Sequence, residues 1–314
     1  MLQASSPPDS GKFRDPAVTA RGERRASVGL RALDTLWFNT GTLCNLTCRH
    51  CYIESSPRND RLVYLGAAEV GAYLDEIGRA GLPTRTIGFT GGEPCMNPDL
   101  PAMLGDALGR GFEALVLTNA MRPMMKLAGP LDALRERYGA RLRVRVSLDH
   151  HGPALHEAER GAGSWAPTLA GLRWLAARGF AVEIAGRRFS AESEPEVRAG
   201  YAALFAEAGL PVDAADPVSL VLFPEMDAAA DVPEITEACW GILGKRPDSV
   251  MCASSRMVVK RRGAERPAVV ACTLLPYDPA FELGATLAEA SRAVALNHPH
   301  CAKFCVLGGA ACSQ

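Results

Sequence analysis

The sequence predicts an α/β protein with a mostly parallel sheet. Either a partial (β/α)6, TIM-like barrel or an open doubly wound sheet fits, with a small cysteine-rich β-hairpin-plus-helix domain behind it. Three observations carry this. Strand-like and helix-like segments alternate from about residue 33 to residue 223. The residues with chemical potential in that stretch follow strands. Six of the ten cysteines fall between Cys239 and Cys312, around a hairpin-like segment.

Residues 1–32 are rich in Ser, Pro, Gly and Arg and have little periodicity, which predicts a disordered tail. Residues 33–40 (LDTLWFNT) read as a strand. Residues 67–80 carry Ala68, Val70, Leu74 and Ile77 at helical spacing, with Gly81 and Pro83 as the stop. A strand is expected over 85–90 and a helix over 99–108, with Pro101 in its first turn. A strand over 113–119 and a helix over 131–138 follow. Residues 142–149 (LRVRVSLD) alternate with a period of two. A helix over 168–178 ends at Gly179, a strand spans 181–186, a helix 193–208 and a strand 219–223. Strands separated by helical crossovers argue for a parallel sheet. Ligands of such sheets bind beyond the strand C-termini. The cysteines at 44–51, Gly91-Gly92-Glu93, Asn119 and Asp149 all follow strands and are expected to converge there.

A formal net charge of -1 gives no electrostatic pull toward nucleic acid or anionic membrane, and neither partner is expected. The basic clusters Arg24-Arg25 and Lys260-Arg261-Arg262 read as solvated surface. No apolar run approaches the ~18 residues of a membrane span. The N-terminal segment lacks an apolar signal core, and its acidic residues argue against a transit peptide, so a cytoplasmic location is expected. In a reducing compartment, clustered cysteines point to metal or catalysis rather than disulfides.

Cys44, Cys48 and Cys51 lie in CNLTCRHCY, a C-x3-C-x2-C spacing on one loop. Three thiolates can hold three corners of a cubane iron–sulfur cluster and leave the fourth iron for an external ligand. A closed zinc site wants four ligands, and His50 is the available fourth, though its place beside Cys51 is awkward. Spacing alone leaves both readings open and favours iron. Asp149-His150-His151 also suggests a metal site, but no further ligand spacing supports it.

On these residues the chain resembles the radical S-adenosylmethionine (radical SAM) superfamily. The three cysteines match its cluster motif, with His50 where an aromatic usually borders the adenine. Thr90-Gly91-Gly92-Glu93-Pro94 resembles the GGEP motif, in which Glu93 would accept hydrogen bonds from the cofactor's amino group. Asn119 ends the strand where the family contacts ribose. Ser147-Leu148-Asp149 resembles the SLD strand end, and Arg160-Gly161 a pair whose arginine meets the cofactor carboxylate. The resemblance covers about residues 33–190. It selects the partial barrel and implies a core domain over 33–225, a [4Fe-4S] cluster and S-adenosylmethionine. The implied chemistry is reductive cleavage to a 5′-deoxyadenosyl radical that abstracts a hydrogen atom. An electron donor such as flavodoxin or ferredoxin is implied too.

Residues 226–314 resemble the Twitch domain, a shortened relative of SPASM. Strands over 257–260 and 268–271 form the hairpin, Cys252 and Cys272 flank it, and a helix over 285–295 returns Cys301 and Cys305. These four cysteines are the expected ligands of one auxiliary [4Fe-4S] cluster, with Cys312 as an alternate. A zinc knot competes. Cys95 and Cys239 are expected to pack. Glu225, Asp227, Tyr277 and Asp278 are candidates for acid, base or radical relay.

Residues 1–32 are not expected to form a leader-binding domain, which favours a small-molecule substrate, oxidised or rearranged with the auxiliary cluster as electron conduit. A peptide-modifying enzyme forming thioether or carbon–carbon bonds is the alternative. A zinc or iron–sulfur binding or electron-transfer protein is the non-enzyme alternative.

Overall fold

The computed structural model describes residues 11–225 and 231–309. The elements run in order as β1 (Ser27–Val28), β2 (Thr35–Asn39), α1 (Ala67–Ala80), β3 (Thr86–Thr90) and α2 (Leu100–Gly109). Next come β4 (Glu113–Thr118), α3 (Arg122–Lys126), α4 (Ala128–Tyr138), β5 (Leu142–Ser147), α5 (Pro153–Arg160) and α6 (Trp165–Ala177). They continue with β6 (Ala181–Arg188), α7 (Glu194–Ala208), β7 (Leu220–Pro224) and α8 (Cys239–Ile242). The last strands are β8 (Ser255–Val259), β9 (Ala268–Val270), β10 (Glu282–Gly284) and β11 (Val294–Ala295), and a π-helical turn over Cys301–Leu307 follows.

The six expected strands β2 to β7 form a parallel array in sequence order. Helix α1 forms where its spacing predicts: Val70, Tyr73, Leu74 and Ile77 are its buried stripe, and Glu69 caps the Gly66 amide at 2.9 Å. The hairpin is not a separate layer. Its first strand, β8, lies parallel to β2, and β9 and β10 extend the same sheet antiparallel, giving nine strands. The sheet is therefore continuous across the expected boundary at residue 226.

Two expectations are corrected. Residues 11–32 are not a disordered tail. β1 pairs antiparallel with β11, and Ala26 and Val28 are buried. Arg25 has a fully buried side chain that donates to Asp15 O, Val18 O and Leu296 O and pairs with Glu234 at 2.5 Å. One buried cation with local carbonyl acceptors orders a segment that apolar periodicity does not mark. The helix over 285–295 is absent. Glu289 takes the amides of Ala285 and Thr286, and Glu76 takes those of Leu287 and Ala288. Side-chain acceptors thus replace helical carbonyls, leaving a short turn between β10 and β11.

Glu234 also accepts the amides of Phe13 and Ala20, both at 2.7 Å. Burial alone would raise its pKa, but those amides and Arg25 hold it below the usual value. Glu234→Ala strands the Arg25 cation and is expected to cost about 3–5 kcal/mol. The thermal midpoint should fall, and proteases should cut within residues 11–32. An unchanged midpoint would show the strap is not held this way.

Candidate active site

The inward face of the barrel is set by alternation along the strands. Trp37 and Asn39 on β2, Ser147 on β5, Ala185 and Arg187 on β6 and Phe223 on β7 all line one cavity at the strand C-terminal ends. Gly88 on β3 is opposite Trp37, and a Cβ there would meet the indole at 2.3 Å, so glycine makes room for the ring. Below the cavity, Arg145 is fully buried and paired with Glu183 at 2.7 Å.

Cys44, Cys48 and Cys51 all face this cavity. Their loop is anchored by Cys44 N to Ser56 O at 3.1 Å and by Thr42 Oγ1 to Asn59 O at 3.0 Å. The Leu46 amide donates to Cys44 Sγ at 3.4 Å and the Ser55 amide to Cys51 Sγ at 3.3 Å, contacts suited to thiolates. Burial, with Glu93, Cys48 and Cys51 adding to it and the Leu46 amide opposing, pushes the Cys44 thiol up to about 12. Burial also raises Cys48, which Arg160 opposes. Such thiols ionise when a bound cation replaces the protons. Among the described residues, neither this trio with His50 nor the C-terminal cysteines gives three ligand atoms within 4.8 Å of one another.

The Gly91-Gly92-Glu93 turn docks on this loop through backbone. Gly92 N donates to Gly41 O at 2.8 Å and Glu93 N to Leu43 O at 3.1 Å. Glu93, expected to meet a ligand amino group, instead points into the protein. Its carboxylate accepts from Thr118 Oγ1 at 2.7 Å, Asn119 N at 2.8 Å and Cys95 N at 3.1 Å. It fixes the Thr118-Asn119 corner, whose Asn119 Nδ2 reaches Asn45 at 2.9 Å on the cysteine loop. Asp149 and Arg160, both expected site residues, form a two-contact ion pair at 3.0 Å on the cavity wall. His50 lines the cavity and holds Glu159 Oε2 at 2.8 Å through Nδ1.

His150, His151 and Glu192 do come together, the ligand group that the sequence could not complete. Yet Gly152 N donates to His150 Nδ1 at 2.9 Å, so His150 Nε2 carries a proton and donates it to Glu192 at 2.7 Å. His151 makes the second contact at 2.9 Å, and the two histidines and Ser190 hold the Glu192 carboxyl down to about 2. The group is a carboxylate held by donors, with no lone pair of His150 left for a metal.

Cys252, before β8, Cys272, after β9, and Cys301 and Cys305, one turn apart, line a second small apolar cavity. Burial raises Cys301 well above its usual pKa, with Cys272 and Cys252 adding to it, so the thiols are neighbours. Arg256 donates to Cys252 O at 2.5 Å and lies wholly inside. Cys312, the alternate ligand, and Asp227 lie outside the described residues. Cys95 is buried against Thr118, and Cys239 packs on the core and accepts from Thr236 N, as expected of packing cysteines.

The remaining catalytic candidates do not face the cavity. Glu225 is exposed beyond β7. Tyr277 donates to Ile53 O at 2.8 Å and stacks under Arg61, a latch between the cysteine loop and the C-terminal region. Asp278 caps Ala280 N at 2.9 Å. The motifs do not point to Trp37, Glu159 or Arg187. The period-two series Glu183, Ala185, Arg187 on β6 is the signal that could have placed the last on the inner face.

Residues 38–189 match the family model described as the Radical SAM superfamily. Over 153 residues the chain is 32% identical to "Mycofactocin maturase MftC" of Mycobacterium ulcerans, covering 49% of this chain and 39% of that protein. Over 170 residues it is 28% identical to "AdoMet-dependent heme synthase" of Nitratidesulfovibrio vulgaris, covering 53% and 43%. The matches thus span about two-fifths of these relatives' lengths. The fold is similar to that of Streptococcus suis SuiB bound to precursor peptide SuiA, with a TM-score of 0.57, 12% identity and coverage of 82% of this chain and 63% of that one.

Proposed function

We propose, from the match of residues 38–189 to the Radical SAM superfamily model, that the chain is an enzyme that cleaves S-adenosylmethionine reductively and removes a hydrogen atom from a bound substrate. The observation that carries this is the convergence of Cys44, Cys48, Cys51, Asp149-Arg160 and the docked glycine turn on one cavity. When bound, a [4Fe-4S] cluster supplies the electron that splits the cofactor into methionine and a 5′-deoxyadenosyl radical. Cys44, Cys48 and Cys51 would hold that cluster. Arg160, kept in place by Asp149, would take the cofactor carboxylate. Gly91 and Gly92 would offer the cofactor their backbone on the cavity wall, and Asn119, Ser147 and His50 would border its nucleoside. Glu93 acts through the residues it positions. Trp37, Leu117 and Phe223 exclude water around the reacting atoms.

Cys252, Cys272, Cys301 and Cys305 would hold an auxiliary [4Fe-4S] cluster in a Twitch-like domain, able to conduct an electron from the substrate. A small-molecule substrate is the first reading. A peptide is the second, supported by the likeness to the SuiB–SuiA complex. Among the described residues no helix is long and apolar enough to cross a membrane. A cytoplasmic site and a flavodoxin- or ferredoxin-type donor complete the proposal.

Anaerobic reconstitution tests it. The chain should take up about eight irons and, with dithionite, release 5′-deoxyadenosine. Changing Cys272 and Cys301 to Ala should remove about half of the iron and leave cofactor cleavage in place. No iron, or S-adenosylmethionine that survives dithionite, would refute the reading.

A further inference from the structure

Arg187 lies near the end of β6, on the cavity wall, with 7% of its surface exposed. Its Nη1 donates to Glu159 Oε2 at 2.6 Å. Its Nε and Nη2 are buried and have no hydrogen-bond partner among the described residues. Those two atoms form one edge of the guanidinium, the edge that grips a carboxylate with two parallel bonds. A buried cation with a whole donor edge unused is costly unless something fills it. Phe189 covers part of the ring face, with the guanidinium carbon 5.6 Å from its centroid.

Arg187 and Arg160 stand at different places on the cavity wall. Arg160 stands near the thiols, opposing the burial that raises Cys48. Arg187 sits on the next strand, in register with Phe223 of β7, where Thr273 and Leu274 close the wall. Its backbone N donates to Asp149 O at 3.1 Å, so Arg187 adjoins the wall that carries Asp149 and Arg160. Glu159 is shared with His50, so the single oxygen that balances Arg187 is already divided.

We propose that Arg187 is the receptor for a carboxylate of the substrate, gripped by its Nε–Nη2 edge. The inference rests on the proposed function and narrows its substrate to a molecule with a carboxylate, either a free small acid or a peptide's carboxylate. A phosphate is disfavoured, because a dianion would face Glu159 and Asp149 as well. Both free nitrogens are closed to water in the ligand-free form, so binding includes a turn of the guanidinium toward the cavity.

The test is calorimetric titration of the anaerobic holoenzyme, with and without S-adenosylmethionine. The probes are propionate against propionamide, N-acetylglycylglycine against its amide, and inorganic phosphate. The wild type should bind carboxylates about tenfold or more tightly than the matched amides. Tighter propionate identifies a small acid as the source, and tighter N-acetylglycylglycine a peptide. Arg187→Gln should erase the preference while S-adenosylmethionine affinity stays within about twofold. Arg187→Lys keeps the charge without the fork and should retain a reduced preference, which covers the case in which the Gln variant does not fold. Equal binding of acid and amide in the wild type overturns the inference. So does a preference that survives in the Gln variant, tightest binding of phosphate, or an equal loss of S-adenosylmethionine affinity, which would place Arg187 in the cofactor site. A wild type that binds no S-adenosylmethionine yet prefers carboxylates would instead refute the proposed function and support the anion site.

Discussion

Replacing Cys44, Cys48 and Cys51 together by Ala is expected to reduce cleavage of S-adenosylmethionine to the background rate. It should also remove about four of about eight irons. Three features make this the largest effect on function. The trio lies on a loop, with Cys48 and Cys51 only partly buried, so the sheet does not depend on it. Its loop is tied by backbone contacts that Ala keeps, among them Cys44 N to Ser56 O. Burial and the neighbouring thiols raise Cys44 and Cys48, so these two serve poorly as anions except around a metal. The readouts are iron content, the low-temperature electron paramagnetic signal after reduction, and chromatography of 5′-deoxyadenosine. The remaining irons should belong to the auxiliary cysteines. Persistent cleavage would mean that the activating cluster is elsewhere.

Periodicity reveals some of this molecule and hides the rest. Helix α1 and strands β2 to β7 are legible because their cores repeat at 3.6 or 2 residues, and the register of polar residues after strands follows from that. The cysteine loop is legible because one short spacing carries its chemistry. The segments that escaped depend on partners far away in sequence. Residues 11–32 are ordered by Arg25 meeting Glu234, 209 positions on. Residues 285–295 lose their helix because Glu76, on α1, reaches their amides. Arg187 escaped for another reason: an arginine on a strand reads as an outward residue unless the interior of the barrel is polar. Here it is polar, with Arg145–Glu183 beneath it. Glu93 is marked by its motif, but its partners Thr118, Cys95 and Asn119 emerge only once the strands are side by side.

Gly92→Ala is expected to be the most damaging single methyl group in the site. A Cβ at Gly92 would lie 2.2 Å from Leu43 O, 2.6 Å from Leu43 C and 2.8 Å from Thr42 O. All three are backbone atoms, so no side-chain rotation relieves the clash. The turn must lift from the cysteine loop. That breaks Gly92 N to Gly41 O and Glu93 N to Leu43 O and pulls Glu93 from the Thr118-Asn119 corner. Overpacking alone costs about 1–3 kcal/mol, and each lost hydrogen bond adds about 1 kcal/mol. The expected result is a large fall in thermal midpoint together with loss of the activating cluster, read as iron content and as 5′-deoxyadenosine yield. Gly78→Ala is the control. It lies inside α1 with nothing within 4 Å of its added Cβ, so Ala should be neutral or stabilise the helix by about 0.5–1 kcal/mol. If Gly92→Ala binds iron and cleaves the cofactor as well as Gly78→Ala does, the glycine turn is not what shapes the cysteine loop. The close backbone contact would then have no part in holding the cluster.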